Sequence, residues 1–459
     1  MVRKINEECA VFAVNTDINE SAGITYNALL TMQHRGQEGS GIAVLDNNSI
    51  FVLKNKGLVG EVFTNKSLDT IPKSNIAIGH NRYSTTGGNA VENVQPFVTE
   101  YLTGRLATVH NGNITNAKKL RDMLMTKGIR FESTSDSEVI SALIAYHIVQ
   151  IGNDEEGIKK SVNMLEGSFC LIILCGDGKL IAVRDADGYR PFCIGRNESG
   201  IALASESCAL ESCGFEFSRD ILPGEMLVVK DRVHESSTIA INRNRELNSG
   251  LCIFEYVYFS RTDSVIDGLS VYEARYNMGK ILAKEHYIDA DVVCGVPDSG
   301  LEAAIGYSSE SSIPLVSGFV KNRYIGRSFI YPTQEQRKNA VRLKLNPLKV
   351  NIEGKRVVVV DDSIVRGTTS AKIVKLLKDA GAKEVHMRIS SPPFRYSCHY
   401  GTDIDDEEKL IANNITTEMI AKEIGADSLG YISLKGLKQA CVKCKLPFCT
   451  KCFAGSEEE

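Results

Sequence analysis

The sequence predicts a mixed α/β and α+β protein of two domains, and three observations carry that prediction. The chain has 459 residues, more than one simple core organises, so two or three domains are expected. Its first half strings together short apolar segments broken by Gly, Asn and Asp turns: CAVFAVN, SGIAVLD, NIAIGHN, RLATVHN, SFCLIILCG, LIAVRD and GIALASES. From about Val271 the rhythm changes to strand, helix, strand.

In the first half, ITNAKKLRDMLMTKG and DSEVISALIAYHIVQIG carry apolar residues at helical spacing between groups of strands. That grouping predicts sheets packed face to face and covered by helices. In the second half VYEARYNMGKILAKEH precedes ADVVCGVPDSG, and KRVVVVDDSIVRGTTSAKIVKLLKDAGAKEVHMRIS reads as one β-loop-α-β unit. Fully apolar strands followed by amphipathic helices predict a parallel sheet buried on both faces. The boundary is expected in the polar stretch AINRNRELNSG, Ala240 to Gly250, dividing residues 9–245 from residues 246–459. No internal repeat interrupts this plan, and the acidic SEEE is the only biased tract.

Composition excludes several classes. Hydrophobic residues make up 43% and charged residues 24%, ordinary values for a soluble globular chain. A formal charge of -4 gives no general attraction to nucleic acid or anionic membrane. No apolar run approaches a membrane span, and MVRKINEECAVFAV lacks the apolar core of a signal peptide. The 13 cysteines lie largely in apolar strands, where Cys170, Cys175 and Cys294 read as small buried hydrophobes. That usage fits a reducing compartment, and a cytoplasmic location is expected.

The sharpest local signal is VVVVDDSIVRGTTS, Val357 to Ser370. Four valines make a buried strand ending in Asp361 and Asp362; a loop of small and hydroxyl residues then enters a helix striped by Ile373, Val374, Leu376 and Leu377. A strand end feeding a helix N-terminus offers free N–H groups and a positive dipole to an anion. Ser363, Thr368 and Thr369 add hydroxyl donors, and Gly367 permits close approach of the backbone. The two acids have the wrong charge for a phosphate, but they suit sugar hydroxyls or a bridging Mg2+. An ordinary turn with solvated acids is the bland alternative, and the Gly-Thr-Thr-Ser completion of the loop argues against it. Neither a Gly-Lys-Ser/Thr P-loop nor a Gly-x-Gly-x-x-Gly dinucleotide motif is present.

This stretch resembles the phosphoribosyl pyrophosphate (PRPP) loop of phosphoribosyltransferases. VVCGVPDSG then places Pro297, Asp298, Ser299 and Gly300 where such enzymes seat pyrophosphate. Between the two loops, FVKNRYIGRSFI carries Lys321, Arg323 and Arg327. It is either a solvated basic loop or a mobile cover that folds over the diphosphate and excludes water.

Cys9 heads the first apolar strand in NEECAVFAV, and alone it would read as core. QHRGQEGSG, GHNRYSTTG, HNGNITN and TSDSE change that reading, because polar, glycine-rich ends on apolar strands are where sites are built. Together these motifs resemble the N-terminal-nucleophile glutamine amidotransferases, which implies an αββα sandwich and removal of Met1 to Glu8. The freed α-amino group titrates near pH 8, roughly two units below a lysine, so it can act as a base at neutral pH. The resemblance implies that Cys9 attacks the glutamine amide and that Arg82 and Asp136 hold the glutamine's carboxylate and amino groups. Asn111 and Gly112 would then form the oxyanion hole. Taken singly, Arg82 could be a surface ion pair and Asn111-Gly112 a tight hairpin turn.

Across NEEC, QHRGQ, DADGYRP, ASES, FEYVYFSR and VDDSIVRGTTS, almost the whole chain resembles the glutamine PRPP amidotransferases, iron-sulfur-bearing branch. The implied second domain is a type I phosphoribosyltransferase. The implied reaction makes 5-phosphoribosylamine from PRPP and glutamine, releasing glutamate and pyrophosphate, and opens de novo purine synthesis. It also implies Mg2+ held with Ser299, Asp361 and Asp362, an internal path for ammonia, purine nucleotide inhibitors and a homotetramer. Thr262 and Ala186 stand where proline is expected, and the segment after Cys452 is short; these departures touch little chemistry. A PRPP-binding regulator with an inactive glutaminase is the alternative from another class, and retention of Cys9, Arg82, Asn111 and Asp136 argues against it. Amino-sugar synthases and asparagine synthetases share only the first half.

The same resemblance implies a 4Fe-4S cluster on Cys252, Cys398, Cys449 and Cys452. The residues alone also admit a local zinc site of Cys441, Cys444, Cys449 and Cys452, although the gap between its two Cys-x-x-Cys pairs is short.

Overall fold

Alternate residues along the first-half strands feed two different cores, and this gives the N-terminal half its layers. In the strand Ala10–Thr16, Val11 and Ala13 enter an interior shared by two sheets, while Ala10, Phe12 and Val14 pack outward beneath the helix Ser21–Thr31. In the strand Gly167–Cys175, Cys170, Ile172 and Leu174 face the same interior, and Leu171 and Ile173 pack under the helix Asp136–Ile151. The computed structural model describes residues 9–47, 49–83, 90–241, 250–322, 345–398, 400–402 and 407–454.

One antiparallel sheet runs in the order Glu216–Asp220, Cys193–Asn197, Gly200–Ala204, Ala10–Thr16, Ile76–Arg82, Gly39–Asp46, Ser49–Lys56. The other runs Glu235–Ile239, Glu225–Val229, Leu180–Arg184, Gly167–Cys175, Gly104–Ile114, Phe97–Tyr101. Helices cover both outer faces, so this half is the expected αββα sandwich. The helix Asp136–Ile151 begins at a Ser135 cap that accepts from the Ser137 N–H, carries Asp136 and Glu138 in its first turn, and stops at left-handed Gly152.

The second half centres on a parallel sheet ordered Val292–Gly295, Arg356–Asp361, Glu384–Ile389, Ser428–Tyr431. Val358 and Val360 pack on the side of helices Val271–Glu285 and Leu301–Ser311, and Val357 and Val359 on that of Thr368–Asp379 and Thr417–Ile424. All four valines are fully buried, each contributing about 1.5–3 kcal/mol of apolar transfer. The cysteine-rich end returns to this half: Leu251–Cys252 and Phe448–Cys449 form a short parallel ladder. Gly250 allows it, because a Cβ there would sit 2.2 Å from the Pro447 carbonyl oxygen.

No helix among the described residues is long and apolar enough to cross a membrane.

Candidate active sites and thiol cluster

Cys9 precedes its strand by one residue, and the pairing of Ala10 with Asn81 sets it beside the end of the strand Ile76–Arg82. Its Sγ lies 3.5 Å from both the backbone N and O of Tyr83. His80 Nε2 lies 3.1 Å from the His110 carbonyl, which ties that strand end to Gly104–Ile114 in the facing sheet. Arg82, buried and not a surface ion pair, and Asn111 therefore share one end of the sandwich. Asp136 reaches the same end, its Oδ2 accepting the Ile114 N–H at 3.2 Å.

Asn111 and Gly112 lie inside a strand rather than in the tight turn their sequence would allow. The Asn111 Nδ2 is buried and has no hydrogen-bond partner among the described residues. A buried donor left unpaired is costly, and here it leaves the amide open to an arriving acceptor. Gly112 is held at φ +143°, and a Cβ there would lie 2.2 Å from the Ser168 carbonyl oxygen. Burial lowers the pKa of the nearby imidazoles, that of His80 to about 3, so His80 stays neutral and serves as a fixed hydrogen-bonding strut.

The two loops expected to bind phosphate leave the same edge of the parallel sheet, because Gly295 and Val360 pair in register on neighbouring strands. The Ser299 hydroxyl donates to Asp362 Oδ2 and the Ser363 hydroxyl to Asp362 Oδ1. The Asp362 N–H donates to Asp361 Oδ1 at 3.0 Å. Gly367 sits at φ +74° before the helix Thr368–Asp379, so Thr368 and Thr369 occupy its first turn. Lys321 ends a short strand and forms an ion pair with Asp298 in the first loop. Arg323 and Arg327 lie outside the described residues.

Thiols from three distant segments converge at the cysteine-rich end. Cys252 pairs in register with Cys449, and the carbonyl of Cys452 accepts the N–H groups of Arg395 and Tyr396, next to Cys398. Burial pushes the Cys449 thiol up to about 11, helped by neighbouring Cys398. Cys452 is raised further by burial and then by Cys252, Cys398 and Cys449. Four sulfur donors from three segments are a ligand set whose chemistry fits an iron-sulfur cluster. Cys441 and Cys444 instead adjoin each other, with Cys444 against the Tyr256 hydroxyl. Asp154, Cys175 and Asp177 also lie close together, but Lys179 pairs with both carboxylates at 3.3 and 3.0 Å.

Sequence reading passed over a buried charge network between the two halves. Arg35 Nε donates to the Cys9 carbonyl at 3.2 Å, Nη1 to Glu206 at 2.7 Å and Nη2 to Glu255 at 2.7 Å. Burial alone would raise the Glu206 carboxyl, but His34 and Arg35 outweigh it and hold it well below the usual range. Glu255 is likewise held down by Arg35 and Arg190 against burial. The signal was available, since Arg35, Glu206 and Glu255 sit in QHRGQ, ASES and FEYVYFSR, but no local pattern joins them.

Residues 80–212 match the glutamine amidotransferase domain family and residues 272–390 the phosphoribosyl transferase domain family. The molecule is thus of the class that couples an amidotransferase half to a phosphoribosyl-transferring half. An amidophosphoribosyltransferase of Methanocaldococcus jannaschii is 48% identical over 460 residues, covering 97% of each chain. That of Bacillus subtilis is 45% identical, covering 95% of this chain and 90% of the relative. A solved structure described as the allosteric regulatory enzyme of purine biosynthesis superposes with a TM-score of 0.89 at 43% identity, covering 97% of this chain and 95% of the other. A glutamine PRPP amidotransferase from B. subtilis, complexed with ADP and GMP, superposes with a TM-score of 0.88 at 43% identity, covering 97% and 96%. The chain belongs to the amidophosphoribosyltransferase family.

Proposed function

We propose that this chain carries out its family's reaction at two sites, with Cys9 as the nucleophile of one and the Asp298–Gly300 and Asp361–Thr369 loops as the cradle of the other. As an amidophosphoribosyltransferase it makes 5-phosphoribosylamine from PRPP and glutamine, releasing glutamate and pyrophosphate, the first step of purine biosynthesis. Residues 9–245 form the glutaminase domain and residues 246–459 the transferase domain. Once Met1 to Glu8 are removed, the Cys9 α-amino group takes the thiol proton and the sulfur attacks the side-chain amide. The unpartnered Asn111 amide and the Gly112 backbone stabilise the tetrahedral oxygen, while Arg82 and Asp136 fix the α-carboxylate and α-amino groups. The side-chain amide nitrogen takes that proton back from the Cys9 α-ammonium and leaves as ammonia, and a γ-glutamyl thioester remains for water to hydrolyse.

In the transferase half, Ser363, Thr368, Thr369 and the helix N-terminus bind the ribose phosphate, with Gly367 giving it room. Asp361 and Asp362 hold the ribose hydroxyls, and Asp298, Ser299 and Lys321, with Arg323 and Arg327, hold the pyrophosphate. Ser299, Asp361 and Asp362 gather oxygen donors suited to one Mg2+ per subunit, which would neutralise charge on the leaving pyrophosphate. Cys252, Cys398, Cys449 and Cys452 suit one 4Fe-4S cluster per subunit, which would cross-link three segments without entering the reaction. Ammonia passes internally between the sites, since in bulk water it would be protonated. Purine nucleotide inhibition, a homotetramer and a cytoplasmic location complete the proposal.

The observation that carries this reading is the meeting of Cys9, Arg82, Asn111-Gly112 and Asp136 at one end of the sandwich. Replacing Cys9→Ala tests it: glutamine-dependent pyrophosphate release should vanish while release driven by added ammonium chloride persists. Equal loss of both would remove the division of labour.

A further inference from the structure

We infer that Glu255, a residue of the transferase half, positions the glutaminase nucleophile through Arg35, so that the Cys9 site is completed only by the other domain. The inference rests on Cys9 being the glutaminase nucleophile, as proposed above.

Arg35 is fully buried and leaves Gln33–Gly36 just after the helix Ser21–Thr31. Its Nε is spent on the carbonyl oxygen of Cys9 itself. That bond anchors the Cys9 carbonyl, and with it the Cα–C axis from which the Cys9 thiol and main-chain nitrogen extend. The rest of the guanidinium is set by two carboxylates. Glu206 comes from the same half as Cys9, and the Glu206 Oε1 also meets His34 Nε2 at 2.8 Å. Glu255 comes from the other half and takes Arg35 in a fork: Oε1 accepts from Nη2 at 2.7 Å and Oε2 from Nη1 at 2.9 Å. Two parallel bonds fix a guanidinium in plane as one carboxylate contact does not.

Glu255 is itself rigidly held. It opens the π-helical turn Glu255–Phe259, and Ser260 donates its hydroxyl to Glu255 Oε2 at 2.5 Å. Arg190 Nη1 stands 3.8 Å from Oε1 on the remaining side. The turn is braced from the transferase core by Arg275, which donates to the carbonyls of Tyr256, Tyr258 and Ser260 at 2.9, 3.2 and 2.7 Å. A buried arginine with its partners fully built is expensive to assemble, and it is a precise way to hold one peptide plane.

The test uses full-length enzyme matured to Cys9, verified by mass spectrometry; a gene reading Met-Cys9 supplies the same N-terminus to any variant that keeps its leader. Glu255→Gln, Glu255→Asp and wild type are assayed for glutamine hydrolysis with and without PRPP, and for ammonia-driven pyrophosphate release. Misplacing a nucleophile by an ångström costs about 100-fold, so Glu255→Gln should lose about that in kcat for glutamine hydrolysis, with or without PRPP, and leave its KM within about threefold. Ammonia-driven release should stay within about twofold, and Glu255→Asp, which keeps the charge, should recover about tenfold. Unchanged glutamine hydrolysis in Glu255→Gln, or equal loss of both activities, would overturn the inference. Wild type that uses ammonia but never glutamine would overturn the Cys9 assignment itself, and the inference with it.

Discussion

At the scale of single residues, geometry assigns the costs. Gly112 has a Cβ position 2.2 Å from the Ser168 carbonyl oxygen and a φ that side chains avoid. Gly112→Ala should therefore displace the strand end and lower glutamine hydrolysis by about 100-fold, the usual worth of an oxyanion donor, with ammonia-driven turnover intact. Parallel assays with the two nitrogen sources check it. Asp362→Asn leaves Ser299 and Ser363 one fewer charged oxygen to share and should weaken the proposed Mg2+ site. The expected result is a rise of at least about tenfold in the Mg2+ concentration needed for half-maximal pyrophosphate release.

The acid pair Asp361-Asp362 and its loop were legible from residue type and order, whereas the part given to Asn111 and Gly112 came from the family resemblance. The sequence did not announce their setting: Asn111-Gly112 reads as a turn, and only pairing with Cys170 and Phe169 places it within a strand. Nor did it announce Arg35 and its carboxylates, which are separated by 171 and 220 residues and leave no periodic trace.

At the scale of elements, the cysteine-rich end is a clasp. Cys398 lies two residues before Tyr400, whose ring stacks on Tyr189 at 4.5 Å and whose carbonyl accepts from Ser168 and Arg190, each at 2.6 Å. Ser168 also accepts the Asn113 N–H at 3.2 Å, so the clasp reaches the strand that carries Asn111 and Gly112. Releasing the thiols should then do more than fray an end. Cys398→Ser should lower Tm by roughly 5 °C and should reduce glutamine hydrolysis more than ammonia-driven turnover. Calorimetry with the two assays reads both effects. The layers themselves were legible in the strand patterns, since apolar strands followed by amphipathic helices leave few arrangements. The meeting of Cys252, Cys398 and the two terminal cysteines followed only from family resemblance, for spacing alone favoured no partner across so many residues.

At the scale of the molecule, the two halves are joined by buried charge. Glu206 and Glu255 both have folded pKa values below the ordinary carboxylate value, 4.5. Their contribution to stability is therefore present above pH 4.5 and is lost as pH falls below it toward the folded values. Wild type should be more stable than Glu255→Gln at neutral pH, and the gap in Tm should close as the pH falls below 4.5, which thermal melts across a pH series would record.

One chain is proposed both to split glutamine and to transfer the nitrogen to PRPP. The most direct measurement incubates mature, anaerobically purified enzyme with glutamine, PRPP and Mg2+, and quantifies glutamate and pyrophosphate together over time. Equal amounts of both are expected, with pyrophosphate release dependent on PRPP and both products lost to background in Cys9→Ala when no ammonia is added. Pyrophosphate released only when ammonia is supplied, or no turnover from fully matured enzyme, would contradict that proposal.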